Sequence, residues 1–149
     1  MPNFHEDDDI ESRKKDYKGT DVFIICFSLV ERKSYENALN FYKELLPFSN
    51  NKPIILVGNK LDICDGLETD FAISQVRNQA KTMEFNCEVA AYEEKSRKDV
   101  ASIQQLLVKA VNLHFHPTLW RDKKEFKKKE QEKTKKGEKS DEKKKCNIQ

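Results

Sequence analysis

Two unbroken apolar runs stand out along this chain. Val22, Phe23, Ile24, Ile25, Cys26 and Phe27 form one; Ile54, Ile55, Leu56 and Val57 form the other, behind Pro53 and ahead of Gly58. Runs of this length without alternation predict strands covered on both faces, as in a parallel sheet between helices. Between them Tyr35, Ala38, Leu39, Tyr42, Leu45 and Leu46 recur at i, i+3, i+4, i+7, i+10 and i+11, one stripe of an amphipathic helix over 31–46 that Pro47 ends. The unit then repeats. Ile73, Val76, Ala80 and Met83 share a helix face behind a cap at Thr69 or Asp70, and residues 85–90 make a short third strand. Val100, Ile103, Leu106, Leu107, Ala110 and Val111 stripe a last helix, with Asp99 as its N-cap and Pro117 closing it.

Strand then helix, three times over, predicts an α/β fold in which right-handed crossovers build an open parallel sheet of three βα units over 20–116. Residues 1–19 show no sustained periodicity and are expected to be irregular. Residues 117–149 are expected to be disordered, because a Lys/Glu-rich segment buries too little apolar surface to order itself. Charge divides the chain in the same way. Residues 121–149 carry 13 basic and 7 acidic side chains, net +6, and the 120 residues before them carry 15 and 19, net −4, so the overall +2 describes neither part.

Several classes drop out. No stretch approaches the roughly 20 apolar residues that span a bilayer, and residues 1–9 are acidic where a secretory signal is basic and then apolar, so a cytoplasmic chain is expected. Cys26, Cys64, Cys87 and Cys146 form no C-x-x-C pair or metal-ligand spacing and read as free thiols. His114 and His116 lack a third ligand, and no metal site is predicted. The basic tail lacks interleaved aromatics and a folded reading module, so no nucleic-acid partner is expected. With four glycines, neither G-x-x-x-x-G-K-[ST] nor G-x-G-x-x-G occurs in the chain.

In an open parallel sheet ligands sit beyond the carboxyl ends of the strands. Asn59-Lys60-Leu61-Asp62 follows the second predicted strand, and Glu88-Val89-Ala90-Ala91 the third. An N-K-x-D tetrapeptide alone is a weak signal; here it follows a buried strand and Gly58 at the ligand edge. At this point the chain resembles the Ras superfamily of small GTPases, P-loop NTPase-like α/β proteins whose N-K-x-D and E-x-S-A motifs form a guanine pocket. The stretch from Thr20 to Val30, the helix opening Ser34-Tyr35-Glu36-Asn37, and Pro53 to Gly58 look like the Rho/Rac branch. Asp62 and Glu88 are separated by 25 residues, closer to Ras and Rab spacing than to Rho proteins with their helical insert, which leaves the branch open. The resemblance extends from about Tyr17 to Phe115, roughly two-thirds of the chain.

The resemblance implies GTP or GDP as ligand. Asp62 would accept from guanine N1–H and the exocyclic amine, a donor pair adenine lacks, and such sites discriminate by about 10⁴. Asn59 would meet the N7 edge, the stem of Lys60 would lie over the base, and the Ala91 N–H would donate to O6, with Ala90 in the motif's Ser position and Tyr92 where Lys or Leu is common. By the same resemblance Phe4-His5-Glu6-Asp7 falls in the switch II region. The phosphate loop, the switch I Thr and the D-x-x-G Asp, which hold phosphates and Mg²⁺ in a complete family member, have no counterpart in these 149 residues. No catalytic residue is therefore assigned, and little GTP hydrolysis is expected. Asp16-Tyr17-Lys18-Gly19 spells D-x-x-G beside the wrong strand and reads as a plain turn.

Cys146-Asn147-Ile148-Gln149 has the form of a C-a-a-X box, whose terminal Gln favours farnesyl. The net +6 upstream would supply the second signal that one lipid needs, drawing the chain to anionic lipid on the cytoplasmic face of the plasma membrane if it is prenylated. GTPase regulators and effectors are the implied protein partners. Two other readings stay open: a non-catalytic, membrane-tethered adaptor or decoy using GTPase-like surfaces, and an incomplete product of a full GTPase, whose strand 22–27 would then be an exposed apolar edge.

Overall fold

A computed structural model describes residues 6–64 and 71–145. Three parallel strands, β1 (Phe23–Ser28), β2 (Ile54–Asn59) and β3 (Ala91–Glu94), lie side by side in that order. Phe23 stands opposite Ile54 and Ser28 opposite Asn59; Ile55 stands opposite Ala91 and Gly58 opposite Glu94. The fold is the α/β open parallel sheet that the apolar runs predict.

Alternation along the strands sorts side chains between two faces. Phe23, Phe27, Ile54, Leu56 and Tyr92 point toward α2 (Arg32–Leu45) and α4 (Phe71–Phe85), where Tyr35, Ala38, Leu45, Ile73, Val76, Ala80 and Met83 complete the larger core. Ile55, Val57 and Ala91 point the other way and meet Leu106, Ala110 and Leu113 of α5 (Val100–Phe115). Asp99 caps α5 by accepting from Ser102 N–H at 2.9 Å. The caps expected at Thr69 or Asp70 lie outside the described residues.

β1 is covered on one face only. Ile24 is 38% exposed and Cys26 is exposed, because α5 lies over β2 and β3 and, among the described residues, no second helix covers β1 on that side. The same geometry leaves Val100, Leu107 and Val111 of the predicted α5 stripe more than half exposed.

The third strand is β3 at 91–94, not 85–90. Apolar Phe85 and Val89 suggested an earlier strand, but α4 continues to Phe85 and closes in a Schellman turn with Cys87 left-handed (φ 57°). Glu88 N–H donates to Met83 O at 2.9 Å and Cys87 N–H to Glu84 O at 2.9 Å. Val89 is buried without being in a strand.

Both ends of the chain depart from expectation as well. Within 1–19, residues Glu6–Tyr17 form helix α1 rather than irregular chain. Its anchors are ionic and aromatic, which a search for apolar periodicity misses. The Arg13 guanidinium donates to both Glu44 oxygens at 3.1 and 3.3 Å, Tyr17 Oη donates to Glu44 at 3.0 Å, and the Tyr17 ring meets Phe23 edge-on at 6.1 Å. Lys14 and Lys15 sit in its last turn, where cations complement the helix dipole. Asp16-Tyr17-Lys18-Gly19 is the end of this helix, with Gly19 left-handed at φ 87°, the plain turn expected of it. Phe4 and His5 lie outside the described residues.

Within 117–149 a second departure appears: Pro117–Lys145 form helix α6 rather than a disordered tail. Pro suits the first helical position, and Lys, Glu and Gln are strong helix formers that need no continuous apolar stripe. Trp120 is buried at its start, and Lys127 Nζ lies 4.2 Å above the Phe85 ring. Cys146 lies outside the described residues.

Gly58 is required by close packing. A Cβ there would stand 2.6 and 2.9 Å from Cδ2 and Cγ of the buried Leu29. Gly58→Ala is expected to lower stability by about 1–3 kcal/mol through overpacking, read as a fall in the urea midpoint with an unchanged slope.

Candidate functional site

The site is built where β2 and β3 end. Asn59 closes β2, Lys60 turns the chain in a left-handed conformation (φ 63°), and Asp62 falls in the first turn of the short helix α3 (Leu61–Cys64). Backbone bonds tie these ends together. Lys95 N–H donates to Gly58 O at 2.8 Å, Leu61 N–H to Lys95 O at 3.1 Å, and Leu29 N–H to Asn59 O at 3.0 Å. The result is a cavity of about 740 Å³, lined among others by Asn59, Lys60, Asp62, Lys95, Ser96 and Lys98, with Val57 and Leu106 at its apolar wall.

The Asp62 carboxyl is held below the usual carboxylate range, first by a hydrogen bond from the Ser96 hydroxyl, then by its own backbone N–H and by Lys98, whose Nζ stands 3.4 Å away. The loop carrying Ser96 is anchored on both sides of β3. Arg77 makes a paired contact to Glu94 at 2.9 and 2.9 Å, and Tyr92 Oη donates to the same carboxylate at 2.8 Å. Lys95, only 8% exposed, reaches Glu93 at 3.1 Å, and Lys109 also pairs with Glu93. Burial works against the Glu93 carboxylate, and the two lysines outweigh it, so its pKa is lowered.

Asn59, Lys60 and Asp62 line one cavity at the carboxyl end of β2. Ala90, Ala91 and Tyr92 do not join them, which corrects their assignment to this edge. Ala90 N–H donates to Ile54 O at 2.7 Å and Ala91 stands opposite Ile55, both at the amino end of the sheet. Tyr92 is a core residue, its ring stacked on Phe27 at 6.4 Å and its phenol pushed well up by burial and then by Glu94. The displacement follows directly from the third strand starting at residue 91. The residues beyond its carboxyl end are Lys95, Ser96, Arg97 and Lys98, and the missed signal is a second E-x-S, Glu94-Lys95-Ser96, with Arg97 in the motif's Ala position.

An open parallel sheet carrying N-K-x-D at the carboxyl edge of its central strand defines a small GTPase type of domain. Residues 10–114 match the Ras family, and the chain belongs to that family. Asp62, held ionised, offers this cavity an acceptor. Among the described residues no group of three or more His, Cys, Asp or Glu side chains is assembled to hold a cation.

Because the folded-state pKa of Asp62 is depressed, its contribution to stability is present above the unfolded carboxyl value of about 3.9 and is lost as pH falls through the lower folded value. Carboxyl NMR titration is expected to show Ser96→Ala raising the Asp62 pKa more than Lys98→Ala does. The reverse order would contradict the hydrogen-bonding account.

Proposed function

We propose that this chain is a guanine-nucleotide-recognising member of the Rho/Rac branch in which the base is read by Asn59, Lys60 and Asp62 and the phosphates are left weakly held. The carrying observation is the cavity formed by β2, α3 and the Lys95–Lys98 loop, which Asn59, Lys60 and Asp62 line together with Lys98, its Nζ 3.4 Å from the Asp62 carboxylate. Asp62 accepts from N1–H and the exocyclic amine of guanine, Asn59 meets the N7 edge, and the Lys60 stem covers the base. With β3 at 91–94, a backbone N–H of the Ser96–Arg97 segment takes the O6 role that Ala91 is too distant to fill.

Branch membership is supported by the β1 and β2 sequences and by the interval between Asp62 and Glu94, which at 31 residues is longer than that counted to Glu88. The 149-residue chain carries no G-x-x-x-x-G-K-[ST], the loop that cradles phosphates and brings Mg²⁺ to them in P-loop NTPases. By themselves these 149 residues are expected to hydrolyse GTP little or not at all. Farnesylation at Cys146 with the basic segment before it would hold the chain at the cytoplasmic face of an anionic membrane, within reach of GTPase regulators or effectors.

A second reading, a non-catalytic adaptor, is favoured by one observation: Ile24 and Cys26 of β1 and Leu107 and Val111 of α5 are apolar and exposed on the same side of the sheet. Partner binding that survives Asp62→Ala would favour it.

Titration with a fluorescent GDP is expected to give weak, guanine-selective binding that is insensitive to Mg²⁺. Asp62→Ala is expected to weaken it by roughly 10² or more, since the base donors lose a charged acceptor. Tight Mg²⁺-dependent binding would overturn the reading of the phosphate side, and equal binding of an adenine analogue that of the base side. Incubation with farnesyltransferase and prenyl donor is expected to add one farnesyl mass to the wild-type chain and none to Cys146→Ser.

A further inference from the structure

A second cavity lies at the other end of β2 from Asp62, where the turn ahead of the strand meets the start of α6. Its volume is about 360 Å³, and Asn50, Asn51, Trp120, Arg121, Lys124 and Lys128 line it, with Glu125 the one carboxylate among them. Three cations against one anion leave a formal charge of +2. Among the described residues none of Arg121, Lys124 and Lys128 has a carboxylate within ion-pair distance. Cations gathered without counter-charge repel one another, an arrangement that an anionic ligand relieves.

Two further features mark the cavity as built. Lys124 is half-buried with Nζ 5.5 Å from the centre of the Trp120 ring, and burial, then Lys128, lowers its pKa. Trp120 is 5% exposed, yet its indole Nε1–H is buried and finds no acceptor. The facing turn is set by two consecutive left-handed residues, Asn50 (φ 48°) and Asn51 (φ 58°), and closed by Lys52 N–H donating to Ser49 O at 2.8 Å. Asn is among the non-glycine residues that take this conformation readily, as both central positions of a type I′ turn require.

We propose that this cavity is a binding site for the phosphate group of a small phosphorylated molecule. A phosphate monoester is a dianion near neutral pH, equal and opposite to the formal charge of the lining, whereas a carboxylate would neutralise only half of it. The Arg121 fork and the two ammonium groups supply charge-assisted donors, the side chains of Asn50 and Asn51 add neutral ones, and the volume suits a compact ligand. Occupation would join α6 to the turn ahead of β2, with ionic contacts on the helix side and neutral hydrogen bonds on the turn side. The site does not depend on the guanine pocket, which lies beyond the opposite end of the strand.

Trp120 is the chain's only tryptophan, so its fluorescence reports on this cavity directly. Pyrophosphate titrated into the 149-residue chain at constant ionic strength is expected to give a saturable change. Lys124→Gln and Lys128→Gln are each expected to weaken it roughly tenfold, with far-UV circular dichroism unchanged, and Asp62→Ala to leave it as it is. Glu125→Gln removes the opposing carboxylate and is expected to tighten binding severalfold, a gain that misfolding cannot imitate. An unsaturable response, or equal half-saturation in wild type, Lys124→Gln and Glu125→Gln, would overturn the proposal. Vesicles containing phosphatidylinositol bisphosphate that displace pyrophosphate would identify the ligand as a lipid headgroup, and vesicles that leave it bound would identify a soluble compound; both results support the phosphate site.

Discussion

Strand β2 carries a double constraint on which the other elements rest: both its edges are hydrogen-bonded, to β1 and β3, and both its faces are buried, with Ile55, Leu56 and Val57 at 0–1% exposure. A strand held in this way cannot slip by one residue, because the slip would exchange the side chains of the two cores. The position of Asp62 follows from that register. Gly58 O and Asn59 O, the last acceptors of the strand, receive Lys95 and Leu29, and Lys95 O in turn receives Leu61. The loop bearing Ser96 and the short helix bearing Asp62 are thus both fastened to the end of one immobile strand.

Ionic contacts do a different job from the apolar ones. The two cores determine which faces meet, while charged pairs orient the segments that leave the sheet. Glu44 receives Arg13 and Tyr17 and so seats α1; Glu94 receives Arg77 and Tyr92 and so fixes the last residue of β3; Asp62 receives Ser96 and Lys98 at the cavity itself. Their significance is geometric, since each sets the direction in which a segment leaves the sheet. The cavity beside Trp120 reverses the pattern, for there the cations gather without such partners.

Much of this was legible from residue order. The apolar runs marked β1 and β2, the 3.6-residue stripes marked α2, α4 and α5, Asp99 served as a cap, and N-K-x-D stood at the ligand edge. The misplacement of β3 shows the limit. Phe85 and Val89 are apolar in both readings, and the left-handed turn at Cys87, a residue type with no special preference for it, is what separates helix from strand. Residue order alone therefore puts Ala90 and Ala91 at the wrong end of the sheet and leaves Ser96 out. α1 and α6 are hidden from residue order for a related reason, since Glu44, which seats Arg13 and Tyr17, and Phe85, which lies under Lys127, stand tens of residues away from those segments in the chain.

Local chemistry therefore settled by itself the fold class and the order of the units, and it placed N-K-x-D directly after the second strand, because periodicity and turn residues act over a few neighbours. Tertiary structure alone decided which E-x-S reaches Asp62, that β1 is covered on one face, and that Arg121, Lys124 and Lys128 converge on Trp120. Each of these depends on strand register or on helix placement across the sheet, set by packing between residues tens of positions apart, and no local pattern encodes a distance of that kind.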